Sequence, residues 1–190
     1  MTRSTVFNPF DVVDGDRGKG LVLVADHAGR GMPDEFGSLG LPASEFERHI
    51  AYDIGVEWLT RELAALTGAP AVLANFSRLL IDPNRGEEDP TLIRQLYDGT
   101  VIGGNYPMAP DERERRLDGF YRPYHDAVGS MIASVATATG TAPFIVSLHS
   151  FTPVMQGFAR PWHVGILWDA DPRAALPLIE MLSGEPDLVV

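Results

Sequence analysis

Apolar residues in this chain fall in short unbroken runs rather than in an alternating pattern. A continuous run of aliphatic and β-branched residues is typical of a strand that is buried on both faces, as in a parallel sheet. The predicted strands cover Gly20 to Ala25, Ala71 to Asn75, Leu79 to Ile81, a run from Phe144, His163 to Trp168, and a start at Leu188. These runs predict a buried sheet at the centre of the protein.

Helices are predicted between the strands. Ser44 and Glu47 have the spacing of a capping box, which predicts a helix to about Leu66, before Gly68 and Pro70. Further helices are predicted from Asp111 to Ala138, with a bend near Pro123, and from Pro172 to Leu182. Gly- and Asp-rich composition predicts an arm up to Lys19, and Gly- and Pro-rich composition predicts loops over 28–41, 82–110 and 151–162.

This alternation of strands and helices favours an α/β fold. The specific expectation is a three-layer α/β/α sandwich with a mostly parallel mixed sheet. A length of 190 residues suits one domain with a sizeable core and is short for two. The sequence ends on the apolar run Leu188-Val189-Val190, without a turn or cap, so we expect a single domain over 1–190 that lacks its C-terminal part.

Two of the predicted strands lead directly into a histidine. His27 follows the first run, and His149 follows the run from Phe144. Ligands of open α/β sheets bind at the carboxyl ends of the strands, so the two imidazoles can meet on one metal ion or substrate. The alternative is that each is a hydrogen-bonded structural residue. Zinc suits the first interpretation, because imidazole is its usual nitrogen ligand and catalytic zinc sites have three protein ligands.

A third ligand is expected from the first predicted helix. His49 and Asp53 are spaced i and i+4, which places them on one helix face. That face could equally be a solvated one, and this is the preferred interpretation for His49. Asp53 is flanked by apolar residues, so we select it as the metal ligand.

Arginines flank the run at 79–81. Arg78 precedes it, and Asp82-Pro83-Asn84-Arg85 follows it with the composition of a type I turn. An arginine beside the histidines could bind a carboxylate through two hydrogen bonds, a geometry that lysine lacks. The alternative is a surface turn without a role in binding.

Two other sets of polar residues are expected to have structural roles. The segment from Tyr121 to Asp126 could support the site, but packing between a helix and a loop is the preferred interpretation. His163 begins a predicted strand, at the sheet edge opposite to the site, so it is expected to be structural.

Composition narrows the class of protein. The net charge of −11 argues against a general binder of nucleic acid or anionic membranes. The absence of cysteine excludes disulfides and thiolate catalysis, and no segment resembles a signal peptide or a membrane span. We therefore expect a cytoplasmic protein; the sequence does not indicate an oligomeric state.

The motifs resemble those of the N-formylglutamate amidohydrolase family. The matching segments occur in the family's order over nearly the whole chain: DHAG at 26–29, HIAYDIG at 49–55, SR at 77–78, DPNR at 82–85, YRPYH at 121–125 and SLHSFTP at 147–153. The family looks like a distant relative of the zinc carboxypeptidases and aspartoacylases. The resemblance implies that fold, one zinc ion held by His27 and His149, and a substrate-carboxylate clamp formed by Asn84 and Arg85.

Two features depart from the carboxypeptidase pattern. Those enzymes have a glutamate ligand three residues after the first histidine, where this chain has Arg30, so Asp53 is the expected replacement. They also use a late glutamate as general base, and the corresponding segment of the family lies beyond Val190. Neither Glu180 nor Glu185 is a convincing substitute.

The predicted activity is metal-dependent hydrolysis of the N-formyl amide of an acidic amino acid such as N-formylglutamate. The predicted metal ligands are His27, Asp53 and His149, and the predicted substrate-binding residues are Arg78, Asn84, Arg85 and Ser150. The partner is thus a small N-acyl amino acid. Two alternatives stay open: a peptidase or deacylase for another N-acyl amino acid, and a shortened, non-catalytic relative that binds carboxylate or metal.

Overall fold

The computed structural model describes residues 7–155 and 157–190. Within it the chain forms two compact units, Met1–Phe151 and Thr152–Val190. The strands of the first unit are β1 (Phe10–Val13), β2 (Leu21–Ala25), β3 (Ala71–Ala74), β4 (Leu96–Tyr97), β5 (Thr100–Val101) and β6 (Phe144–Ser147). Its helices are α1 (Val56–Thr67), α2 (Pro110–Arg116) and α3 (Arg122–Thr139). The second unit contains β7 (Val154–Met155), β8 (Phe158–Ala159) and α4 (Ala175–Ser183).

The first unit is built on a four-stranded sheet with the order β1-β3-β2-β6. Strand β2 is parallel to both β3 and β6, and β1 is antiparallel to β3. The sheet is therefore mixed and mostly parallel, as expected. The central strand β2 is buried from Val22 to Ala25, in agreement with its unbroken apolar sequence.

Alternate residues of β2 face two different helix layers. Val22 and Val24 belong to a core cluster that includes Tyr124, Met131 and Val135 of α3. Successive side chains of a strand point to opposite faces, so the next residues of β2 must pack on the other side.

The opposite face of the sheet is covered by α1. Leu23 and Ala25 belong to a second cluster with Val56 and Ala64 of that helix. With one helix layer on each face, the first unit is a three-layer α/β/α arrangement, and the fold prediction is confirmed.

The predicted N-terminal arm is partly wrong. Residues Phe10–Val13 form β1, which pairs with β3 over four residues, from Phe10 opposite Ala74 to Val13 opposite Ala71. The strand was not predicted because four residues are too few to show a clear periodicity, and because the neighbouring Gly and Asp residues favour an irregular segment.

The helix predicted from Ser44 to Leu66 forms only in its second half. A short 3-10 helix covers Ala43–Glu47, and α1 starts after Gly55, whose φ of 84° lies in the left-handed region that glycine adopts most easily. His49 and Asp53 therefore do not share a helix face, and that part of the prediction is wrong.

Residues 48–55 instead bond to neighbouring segments. The Asp53 N–H donates to the His27 carbonyl at 2.8 Å. The Ala51 carbonyl accepts from the Arg78 N–H at 3.1 Å and from the Ser77 hydroxyl at 2.8 Å. These bonds replace helical bonds and fix the segment against the end of β2.

The strand predicted at Leu79–Ile81 is also wrong. This run follows β3 as a turn, in which the Leu80 N–H donates to the Ser77 carbonyl at 2.9 Å. All three apolar side chains are fully buried. The apolar run indicated burial correctly, but burial alone does not require strand pairing.

The predicted helix over 111–138 is present with one irregularity. A wider, π-helical turn over Leu117–Tyr121 joins α2 to α3 and ends two residues before Pro123. Proline has no N–H for a helical bond, which explains the local change in hydrogen bonding. No helix in the described ranges 7–155 and 157–190 is both long and apolar enough to cross a bilayer.

The second unit agrees with the prediction only in its helix. Helix α4 matches the predicted helix over 172–182 closely, but neither 163–168 nor 188–190 forms a strand. The N–H groups of His163 and Val164 both donate to the Val189 carbonyl, so these two segments touch without forming a ladder.

We predict that Ser77→Ala lowers the free energy of unfolding by about 1–3 kcal/mol, because the buried Ala51 carbonyl loses a donor. Urea denaturation of the purified protein measures this change. The matched control is Ser134→Ala in α3, where the hydroxyl only bonds within its own helix, and a change below about 0.5 kcal/mol is expected. Equal changes in the two variants would contradict the role given to Ser77.

Candidate functional site

The three predicted metal ligands meet at the carboxyl end of the sheet. His27 lies just after β2, His149 just after the neighbouring parallel strand β6, and Asp53 in the segment bonded to the end of β2. One ligand atom from each lies within 4.8 Å of the others, and the imidazole centroids are 5.2 Å apart. The prediction that the two strand-end histidines converge is confirmed.

A close approach of two backbones positions the loop after His27. A Cβ on Gly29 would lie 2.3 Å from the carbonyl carbon and oxygen of Asn75, a distance that no side chain could tolerate. The loop therefore packs directly against the chain that follows β3, and the Gly31 N–H donates to the Asn75 carbonyl at 2.9 Å.

Asp53 is the centre of the cluster. The Nδ1 atoms of both histidines face its Oδ2, that of His149 at 2.9 Å and that of His27 at 3.6 Å. Arg78 pairs with the other oxygen, and the Ser150 N–H donates to Oδ2 at 3.3 Å. Asp53 is buried, and a buried carboxylate requires such compensation for its charge.

The second nitrogen of His27 faces another buried carboxylate. Its Nε2 lies 2.6 Å from Oδ1 of Asp82, which also accepts from the Asn84 N–H at 3.0 Å. Burial lowers the pKa of His27 although Asp82 acts in the opposite direction, so the ring is neutral at neutral pH. Nε2–H then donates to Asp82, and the buried Nδ1 keeps its lone pair and has no hydrogen-bond partner among the described residues.

His149 has a corresponding arrangement. Its Nε2 lies 3.1 Å from the Ser147 hydroxyl and 3.4 Å from Oδ2 of Asp26. Burial acts to raise the pKa of Asp26, but its bonds with His149 and Tyr124 outweigh burial and hold that pKa below its ordinary value. Asp26 is thus an ionised partner of the histidine.

This donor set fits a metal ion. Histidine ligands in metal sites usually direct their second nitrogen to a carboxylate or carbonyl, which fixes the tautomer. Both histidines have such a partner, and both direct Nδ1 towards the same oxygen of Asp53. His27, Asp53 and His149 could therefore hold a metal ion.

Three guanidinium groups share one unusual property. The Nε atoms of Arg78, Arg85 and Arg94 are buried and have no hydrogen-bond partner among the described residues. Burial lowers the pKa of Arg78, and the nearby charge of Arg94 acts in the same direction. Arg78 and Arg85 lie beside the buried carboxylates of Asp53 and Asp82, so cationic and anionic side chains alternate around the predicted ligands.

The predicted substrate-binding residues occupy different environments. Arg78 is buried against Asp53, whereas Arg85 is partly exposed, with its Nε 4.0 Å from Oδ2 of Asp82. Asn84 is exposed in the same turn, and Ser150 adjoins His149. Among these four residues, Arg78 is buried, whereas Asn84, Arg85 and Ser150 are accessible beside the cluster.

The segment over 121–126 packs against this turn. The Tyr121 hydroxyl donates to the Arg85 carbonyl at 2.7 Å, and the His125 ring lies 3.0 Å from the Pro83 carbonyl. The helix therefore positions the turn, as the packing interpretation expected.

His49 and Arg30 lie outside the cluster. His49 is 3.6 Å from the Asp98 carboxylate, on the side of the β4–β5 hairpin, in agreement with its preferred interpretation as a non-ligand. Arg30 pairs with Glu47 and lies over the Tyr52 ring, so it does not occupy a ligand position.

Sequence reasoning did not assign roles to several supporting residues. Asp26 and Ser147 lie next to the predicted histidines in the matched motifs, so their proximity in sequence was a usable signal. Tyr124 lies in a matched motif on α3, but its contact with Asp26 spans 98 residues of sequence. Arg94 lies in the irregular stretch before α2, and no motif in the sequence indicates that it lies near Arg78.

Comparison with known proteins places the chain in a family. The family model described as N-formylglutamate amidohydrolase matches residues 19–190. A crystallised gene product of Agrobacterium tumefaciens is 33% identical, with a TM-score of 0.87 over 96% of this chain and 71% of that one. An N-formylglutamate amidohydrolase from Ralstonia eutropha is 25% identical, with a TM-score of 0.63 over 75% of this chain and 58% of that one. No curated protein matches.

The resemblance inferred from the motifs is thereby confirmed over nearly the whole sequence. The histidines, Asp53 and the Asp82–Arg85 turn all lie within the matched range 19–190. The chain belongs to the N-formylglutamate amidohydrolase family, which consists of hydrolases that act on an amide bond.

Proposed function

We propose that this protein is a metal-dependent hydrolase that removes the N-formyl group from an acidic amino acid such as N-formyl-L-glutamate. Membership of the family supports the reaction type. The observation that carries the metal dependence is the shared direction of two Nδ1 atoms towards one oxygen of Asp53, with a carboxylate near each second nitrogen.

The proposed ligands of one zinc ion are His27, Asp53 and His149. When bound, zinc would act as a Lewis acid towards the amide carbonyl and lower the pKa of a bound water to about 7. The ligand atoms lie within 4.8 Å of one another, so a small contraction would bring them to the separation of about 4 Å or less that bonds of about 2 Å to a common ion require. Asp82 and Asp26 hold the two rings in place.

Arg85 and Asn84 are the proposed clamp for a substrate carboxylate. Arg85 combines a partly exposed guanidinium with a backbone that Tyr121 holds in place, so the clamp is positioned before substrate binds. Arg78 and Ser150 complete the proposed set. Arg78 already pairs with Asp53, so Arg85 is the arginine proposed to bind the substrate carboxylate directly.

We predict that His149→Ala weakens zinc binding by about 100-fold or more. Loss of a ligand must exceed the 10–100-fold loss that follows removal of a ligand's outer partner. Competition with a chromogenic chelator measures the Kd. His49→Ala is the matched control and should leave the Kd within about twofold of that of the wild type, because this ring lies by Asp98.

Two outcomes would contradict the metal assignment. One is zinc affinity that is the same in His149→Ala and the wild type. The other is hydrolysis of N-formylglutamate by wild-type protein that a chelator does not reduce and zinc does not restore.

We predict that Arg85→Ala raises KM for N-formyl-L-glutamate at least about tenfold with a smaller change in kcat, because the substrate carboxylate loses its charged partner. Formate release measures the rate. Arg17→Ala is the control: this arginine pairs with Asp14 before the start of β2, at the opposite end of that strand from His27, and KM should not change.

Substrate comparison tests the specificity of the clamp. A preference for N-formylglutamate over N-formylleucine that disappears in Arg85→Ala would support it. An equal rate with both substrates in the wild type would instead favour a deacylase for other N-acyl amino acids.

A further inference from the structure

Arg94 is a partly buried cation without an acidic partner. Its Nε atom is buried, and in the part of the chain that the structure describes its side chain forms neither a hydrogen bond nor an ion pair. The guanidinium lies over the Tyr97 ring, with 4.6 Å between Cζ and the ring centroid. Arginine side chains in such surroundings usually have hydrogen-bond partners, so an arginine that lacks them suggests a role in binding.

Asp89 does not neutralise this arginine. Its Oδ1 accepts from the Thr91 N–H at 2.7 Å and from the Thr91 hydroxyl at 2.6 Å, so it is held within its own turn. These hydrogen bonds lower the pKa of Asp89 most, and the charges of Arg85 and Arg94 act in the same direction. Arg85 and Arg94 therefore lie near one carboxylate that is already occupied.

Arg94 is linked to the ligand cluster through two side chains. Tyr97 lies beneath its guanidinium and also contacts Arg78, and the charge of Arg94 itself acts on Arg78. Arg78 in turn pairs with Asp53, the proposed metal ligand. One aromatic ring and one guanidinium thus separate Arg94 from the cluster.

The backbone around Arg94 is held in place. The side-chain amide of the buried Asn105 donates to the Arg94 carbonyl at 2.7 Å. Two residues earlier, the Leu92 carbonyl accepts from the Asp82 N–H at 2.8 Å, which ties this segment to the turn that contains Arg85. A side chain on a fixed backbone loses less conformational freedom when it binds a ligand.

Arg94 also borders an open cavity of about 270 Å³, which Thr91 and Gln95 line with it. Sites that enclose a whole small ligand measure about 300–1,000 Å³, so this cavity suits one end of a small molecule. A guanidinium matches a carboxylate through two parallel hydrogen bonds. A carboxylate is therefore the chemical group that this cavity and its unpaired arginine fit.

We propose that Arg94 determines specificity by binding the second carboxylate of the substrate: Arg85 receives one carboxylate of the acidic N-formyl amino acid, and Arg94 receives the other. This inference rests on the proposed function for the identity of the substrate. Two arginines on backbone segments that are bonded to each other then explain a requirement for two carboxylates joined by a short aliphatic chain.

The test combines Arg94→Met with two substrate analogues. Methionine keeps an apolar contact with the Tyr97 ring and removes the charge. N-Formylglutamine lacks the side-chain carboxylate, and the α-amide of N-formylglutamate lacks the other one. In Arg94→Met, KM for N-formylglutamate, measured by formate release, should rise at least about tenfold. With one of the two amides KM should stay within about twofold of the wild-type value, because that amide already lacks the carboxylate that Arg94 binds.

Arg85→Ala should behave in the same way with the other amide. The matched control is Arg115→Met, because the Arg115 guanidinium also lies over an aromatic ring, that of Phe36, at 4.3 Å. This variant should leave KM unchanged for all three substrates. The proposal is overturned if Arg94→Met has the wild-type KM for N-formylglutamate, or if both site variants respond to the same carboxylate.

A second variant covers the case in which Arg94→Met does not fold. Arg94→Lys keeps the charge but cannot form the paired hydrogen bonds, so KM for N-formylglutamate should rise about threefold or more. A wild-type KM in Arg94→Lys would likewise overturn the proposal.

Binding of glutarate separates this proposal from the proposed function. Calorimetry should show at least about tenfold tighter binding of glutarate than of butyrate to the wild type, and a loss of that difference in Arg94→Met. If the wild type hydrolyses no N-formyl compound, the proposed function fails, while this loss still supports the role of Arg94. Equal glutarate affinity in the two proteins, or no glutarate binding by the wild type, overturns that role.

Discussion

The buried carboxylate of Asp53 is the group on which the rest of the site depends. It lies out of water, and the Arg78 guanidinium and the Ser150 N–H compensate a charge that would be costly alone. Its position comes from backbone bonds, not from a regular element. The Asp53 N–H is tied to the His27 carbonyl, and the adjacent Ala51 carbonyl is tied to Ser77 and its neighbour. A strand end and a turn thus hold one acidic side chain in place.

The topology of the sheet brings the remaining groups to the same point. Strands β2 and β6 are adjacent and parallel, so the residues that follow them emerge side by side. Each strand contributes a histidine, and each histidine has an aspartate near its outer nitrogen, Asp82 for His27 and Asp26 for His149. Helix α3 and the π-helical turn before it contact both sides, with Tyr124 at Asp26 and Tyr121 at the Arg85 turn. This helical segment therefore supports both the ligand cluster and the proposed carboxylate clamp.

The layers of the fold and the meeting of the histidines could be predicted from sequence, because unbroken apolar runs indicate buried parallel strands. Asp53 was selected as a ligand because apolar residues flank it, but the helix predicted around it was wrong. A capping-box pattern at Ser44 suggested one long helix, whereas Gly55 and bonds to distant segments interrupt it. Tertiary hydrogen bonds of this kind leave no periodic pattern. The apolar sequence of Leu79–Ile81 predicted a strand, although these residues are buried in a turn without strand pairing. The contact of Tyr124 with Asp26 could not be predicted either, because 98 residues separate the two.

The partly exposed guanidinium of Arg85 is a local exception to the overall charge of this acidic molecule. At long range an approaching anion meets a net charge of −11, whereas within a few ångströms of Arg85 it meets a cationic group. Dissolved salt screens charges beyond about 8 Å at physiological ionic strength and affects close, partly buried contacts much less. Added salt should therefore weaken the distant repulsion more than the local attraction, so that an anion reaches Arg85 faster in saline than in dilute buffer.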